Sequence, residues 1–317
     1  MNAKLFLFLL SVLSGFASDN KAYVYGYKRF YSESTHTTID LLYDMHAPVP
    51  NCTTEEFCAL SREEAKKKLY PTEQKILNVL QEWEEKGYSC DLIWESLFSG
   101  KENYYLPGAP NLLGLDKFFG LTDLQSISFI PSDLYRYFGF FSLFVVLDEQ
   151  GNPRSSYNEA QCSFEDPAPL LDSCKRGIYK NYGDTVWQNF QNLRSQVIKD
   201  VQEYFRESYS TDKTISYAKD FMQNPVAYLL CDVEILSHLL ASKASRVIVY
   251  AGGAHCRRIA EFLEHNDDFL CLYTAVPSCK PCLEKPLHAY PELSLDCLKL
   301  FEEPPCEYAS KLGAGTE

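Results

Sequence analysis

Three features of this 317-residue chain predict an α/β fold with a mainly parallel central sheet flanked by helices. Short β-branched runs such as Val247 to Val249 read as strands buried on both faces. Helical segments with one apolar face separate most of these strands, the order that parallel pairing requires. No internal repeat and no low-complexity tract breaks that alternation.

The elements follow in order. Ala22 to Tyr27 and Ile39 to Tyr43 read as strands. A linker with Pro48, Pro50 and Glu55-Glu56 leads to a helix from Pro71 to Lys86. Pro71 suits its first turn, Ile76, Leu77, Leu80 and Trp83 form its apolar face, and Gly87 ends it. Cys90 to Glu95 is a short strand, Gly100 to Gly114 a loop rich in Gly, Pro and Tyr, and Leu124 to Ile130 the next strand. Phe138 to Asp148 is apolar and fits a further strand, whereas Gly151 to Gly183 is irregular. Thr185 to Tyr209 spaces Val186, Phe190, Leu193, Val197, Val201 and Phe205 by three or four residues, as a long amphipathic helix does. A helix from Pro225 to Ser242, a strand from Arg246 to Tyr250, a helix from Arg257 to His265 and a strand from Phe269 to Ala275 complete the pattern.

Composition narrows the class. Hydrophobic residues at 46% and charged residues at 23% are those of an ordinary globular protein. A net charge of −13 argues against nucleic acid as a partner, because neutralising phosphates needs a basic face. Lys4, the apolar run Leu5 to Leu13 and the small-residue site at Gly15-Phe16-Ala17 predict a signal peptide over residues 1–17. The mature chain is then exported, secreted or periplasmic, and has no segment long and apolar enough for a stable membrane span. Residues 18–276 form the α/β domain, and residues 277–317 a Cys- and Pro-rich irregular extension. Of the 12 cysteines, Cys90, Cys231 and Cys271 lie inside apolar elements and read as free and buried. Cys279, Cys282, Cys297 and Cys306 crowd the extension, where structural disulfides are expected, with a zinc knuckle or a redox CxxC as alternatives.

Candidate chemistry gathers where strands end. Asp44 and His46 leave the second strand two residues apart, and Glu95 ends the strand after the first helix. Asp133 and Arg136 follow the next strand, where the planar guanidinium suits a carboxylate or an oxyanion. Gly252 and Gly253 permit a tight turn that puts His255 at a helix N-terminus, which lowers an imidazole's proton affinity. The carboxyl edge of a parallel sheet is where α/β proteins bind ligands. His46, Glu95 and His255 make a plausible divalent-metal set, or else supply acid–base catalysis. No Gly-x-Ser-x-Gly elbow, P-loop or His-Glu-x-x-His occurs, and Cys256 beside His255 is poorly placed as a nucleophile.

Taken in order, these residues resemble the TraB/TIKI, ChaN and erythromycin-esterase-like group. The likeness rests on Asp44-Met45-His46, Glu95, Asp133 to Arg136, Gly252 to His255, and the helix carrying Asp232, over roughly residues 39 to 275. It implies a hydrolase of peptidase or esterase type acting on a small-molecule or peptide substrate. His46, Glu95, Arg136 and His255 would be catalytic, and Tyr43, Asp44, Asp133, Gly252 and Gly253 would bind substrate. The ChaN branch implies instead a non-catalytic haem- or ligand-binding protein, with Tyr43 available to iron. A secreted interaction or virulence factor with a vestigial pocket is the third alternative. Oligomeric state has no signature in the sequence.

Overall fold

The computed structural model describes residues 22–46, 60–61, 64, 67, 71–95, 125–132, 168–208 and 225–276. The leader, the loop from Gly100 to Gly114, the strand expected from Phe138 to Asp148 and the extension 277–317 lie outside the described residues. The described strands are β1 (Ala22–Ser32), β2 (Thr38–His46), β3 (Cys90–Trp94), β4 (Ile127–Pro131), β5 (Arg246–Gly252) and β6 (Phe269–Ala275). The described helices are α1 (Pro71–Lys86), α2 (Ala168–Ser208), α3 (Pro225–Ala241) and α4 (Gly253–Glu264).

The strands form one six-stranded sheet in the order β4-β3-β5-β2-β1-β6. β4, β3, β5 and β2 pair parallel, while β1 runs antiparallel to both β2 and β6. The fold is thus mixed α/β with a mostly parallel sheet. The antiparallel insertion of β1 is a feature the periodicity did not signal, because side-chain alternation is the same for either direction.

Alternation sorts the core into two layers. Ile39, Leu41, Val247, Val249 and Ile93 face the layer of α2, α3 and α4, where Phe190, Val197, Leu236, Leu239, Ile259 and Leu263 are buried. Leu42, Ile248, Tyr250, Leu92 and Trp94 face α1, packing against Ile76, Leu77, Leu80 and Trp83. The seven residues of β5 are all buried, as a central strand covered on both faces should be.

Three sequence expectations change. Helical backbone begins at Ala168, inside the stretch read as irregular, and α2 contains a break at Gly183 (φ 69°, ψ −157°). That glycine at positive φ resets the helical phase, so only the part after it shows an uninterrupted apolar stripe. The last helix starts at Gly253 rather than Arg257, which places His255 within its first turn. Cys90 and Cys231 are free and buried as expected, but Cys271 is exposed, because β6 is an outer strand. Cys256 is a further buried thiol. Among the described residues, no helix is long and apolar enough to cross a membrane.

Candidate functional site

β3, β5 and β2 are neighbours in the sheet, and their registers pair Trp94 with Tyr250 and Asp44 with Gly252. Glu95 therefore leaves β3 beside the end of β5. Its backbone N–H donates to Tyr250 O at 3.0 Å, continuing the ladder by one residue. Its side chain then accepts the Gly252 N–H on Oε2 at 2.7 Å. β5 passes into α4 without a loop, and His255 comes round on the first turn to face the same carboxylate. His255 Nε2 lies 3.4 Å from Glu95 Oε1.

The other ring nitrogen is held from α3. His255 Nδ1 and Asp232 Oδ1 are 2.5 Å apart, and Arg258 grips Asp232 through Nε, with Nη2 at 3.3 Å from Oδ1. Arg258 Nη2 is also 3.3 Å from Nδ1. An ionised carboxylate accepts only, so the proton in the short contact belongs to Nδ1, and the Arg258–Nδ1 approach is proximity between two donors. Nε2 is thereby the nitrogen turned toward Glu95.

The cluster is dry. Glu95 is 7% exposed, Asp232 4% and His255 3%. Burial by itself depresses the His255 pKa, but the charge of nearby Glu95, joined by the hydrogen bond that Nδ1 donates to Asp232, outweighs it and raises the value to about 9. The sequence expectation had the opposite sign. Two carboxylates within contact distance overcome both the helix end and the lost hydration, so the ring carries a proton at neutral pH.

Tyrosines border these groups. The Tyr228 ring meets the imidazole edge-on at 5.8 Å between centroids. Half-buried Tyr25 reaches from β1 over the Gly252-Gly253 turn, so close that a Cβ on Gly253 would meet its hydroxyl oxygen at 1.7 Å. Gly253 is thus required by close approach rather than by backbone conformation. Beneath them Cys256 donates to Leu42 O at 3.3 Å, and burial pushes its thiol pKa up, which removes it as a nucleophile.

Of the residues singled out in the sequence, Glu95, Gly252, Gly253 and His255 come together. Asp44 is buried on the α1 face, where it accepts from the Tyr250 hydroxyl at 3.3 Å, whereas Glu95 and His255 meet on the α3–α4 face. Strand alternation separates them, because one pocket needs side chains of one parity at a sheet edge. Tyr43 turns into the core beneath α4 and packs edge-on to Tyr25 at 6.2 Å. Its phenol pKa is raised by burial, which disfavours the phenolate that iron would need. His46 is the last residue of β2, opposite Ala22, and its side chain lies outside those described, as do Asp133 and Arg136. Sequence reasoning assigned no role to Asp232 or Arg258. The available signals were two acidic residues, Asp232 and Glu234, inside the mainly apolar run Leu229 to Leu240, and the three-residue step from His255 to Arg258 along one helix face.

Among the described residues, no group of three or more His, Cys, Asp or Glu is arranged to hold a metal ion. Among the described side chains Glu95 and His255 supply two of the three donors that a hydrolytic zinc ion takes, and His46, the third of the expected set, has its side chain outside them. No protein-family model, no curated protein and no solved structure matches the chain.

Proposed function

We propose that the chain is an exported hydrolase of peptidase or esterase type, a distant relative of the TraB/TIKI, ChaN and erythromycin-esterase-like group, with Glu95 and His255 as its reacting pair. One observation carries the reading: a buried carboxylate and a buried imidazole face each other across 3.4 Å at the carboxyl edge of the parallel strands. That gap exceeds an ordinary N–H···O hydrogen bond, and the two groups are opposite in acid–base role. In the step this arrangement suits, Glu95 Oε1 removes a proton from water as the water oxygen bonds to the substrate carbonyl carbon. The carbon–heteroatom bond breaks, and the Nε2 proton passes to the leaving group. Proton return from Glu95 to Nε2 restores both groups, so water and substrate are the only reactants consumed. The substrate is an ester or amide with no requirement for a basic face.

A second reading, a non-catalytic ligand-binding protein, is favoured by the near-complete burial of the cluster. One experiment separates the two. The full chain, Glu95→Gln and His255→Ala are assayed with p-nitrophenyl butyrate and fluorescein-labelled casein, with and without EDTA dialysis. Wild type should hydrolyse one probe in either condition. Both variants should lose at least about 100-fold in kcat, the usual weight of one acid–base group. Full activity in either variant refutes the pair. Activity lost only on chelation replaces it with metal chemistry involving His46. No turnover, together with a Soret band on adding haemin, supports the ligand-binding reading.

A further inference from the structure

We infer that Asp232 is the positioning residue of this site: it holds the His255 ring so that Nδ1 keeps its proton and Nε2 faces Glu95, while Arg258 holds Asp232 in turn. The kinetic consequence rests on the hydrolase reading above; the geometry does not. A carboxylate at 4% exposure, on a mainly apolar helix that buries Glu234 as well, is costly unless every oxygen is used. Among the described residues its hydrogen bonds run to two residues of one helix. Oδ1 takes Nδ1 at 2.5 Å, and Arg258 closes over Oδ2 and Oδ1. A clamp meant only to fasten α3 to α4 needs Arg258 alone. Spending the carboxylate on the imidazole as well fixes ring orientation and proton location.

The proton location decides whether the step can occur. With Asp232 in place the ring bears protons on both nitrogens, so Nε2 gives one up and leaves a neutral imidazole. Without Asp232, Arg258 Nη2 at 3.3 Å is the nearest partner of Nδ1 and donates to its lone pair. The ring then holds a single proton, on Nε2, and releasing it would leave an imidazolate. The acid function is lost although His255 and Glu95 are both present.

The test uses the full chain labelled with ¹⁵N-histidine, as wild type, Asp232→Asn and Asp232→Ala, and Arg258→Lys. In wild type the His255 Nδ1 signal should be that of a protonated, strongly hydrogen-bonded nitrogen. It should shift to an unprotonated type in Asp232→Ala, move part-way in the isosteric Asp232→Asn, and persist in Arg258→Lys. With p-nitrophenyl butyrate, kcat should fall about 100-fold in both Asp232 variants with KM unchanged, as misplacement of a reacting group does. Arg258→Lys, which keeps a cation against Asp232, should lose far less kcat than either Asp232 variant. An Nδ1 signal identical in wild type and both Asp232 variants overturns the inference. So does a kcat loss that tracks only a lowered melting temperature. If wild type turns over neither ester nor casein, the hydrolase reading fails, and the nitrogen signal still decides what Asp232 does.

Discussion

Folding stability should fall as pH rises from neutral to alkaline, and His255 sets the size of the fall. Its pKa is about 9 in the fold against an ordinary 6.5. Below 6.5 the ring is protonated in both folded and unfolded chains, and the stabilisation by Glu95 and Asp232 is fully present. Between 6.5 and about 9 the unfolded chain sheds the proton while the fold retains it, so the unfolded state binds fewer protons and stability drops with pH. At about 1.4 kcal/mol for each pH unit, the whole interval is worth about 3 kcal/mol. Urea unfolding followed by tryptophan fluorescence, from about pH 6 to about pH 10, covers the window. The measured quantity is wild type minus His255→Gln, which should shrink by about 3 kcal/mol across it. His238, whose pKa burial lowers, titrates below 6.5 with the opposite sign and stays outside the window. The Cys90 and Cys256 thiols, pushed up by burial, contribute equally to both proteins and cancel. A difference that is constant, or that grows with pH, would refute the charge arrangement around His255.

Two further outcomes test the scaffold around the site. Gly253→Ala should destabilise by about 1 kcal/mol, because displacing the Tyr25 ring outweighs the roughly 1 kcal/mol that Ala gains as a helix former; thermal melts of Gly253→Ala, Tyr25→Ala and the double variant should show the double relieved, and a Gly253→Ala melting point above wild type would mean the ring moves aside freely. On the opposite face, Arg29 Nε donates to Asp40 Oδ1 at 2.7 Å and Nη2 to Oδ2 at 3.2 Å, with the Tyr27 hydroxyl donating to the same carboxylate. Asp40→Ala removes that counter-charge from a guanidinium 3% exposed, and urea unfolding should register a loss of about 3–5 kcal/mol; a loss under about 1 kcal/mol would show that water reaches the arginine.

Much of the layout was legible along the chain. The apolar runs ending at Glu95 and at Gly252-Gly253 marked β3 and β5, and a parallel sheet brings such ends to one edge. His255 followed from the glycine turn. The readings that changed share one cause. Asp44 and Tyr43 stand beside a strand end just as Glu95 does, yet parity sends Asp44 toward α1 and Tyr43 under α4. Asp232 marked a helix in the sequence but received no role, because its partners arrive 23 and 26 residues later on another helix.

Local alternation of apolar and polar residues, a property of each segment alone, was enough to specify the described strands and most of the described helices, though not the first part of α2. Strand order, the reversed direction of β1, and the face each side chain occupies were decided only when distant segments packed. The charge on His255 belongs to that second kind. An isolated helix end would have made the ring a weaker base, and two carboxylates delivered by β3 and α3 made it a stronger one, because Coulomb attraction at contact distance in a low-dielectric interior exceeds the desolvation that burial imposes.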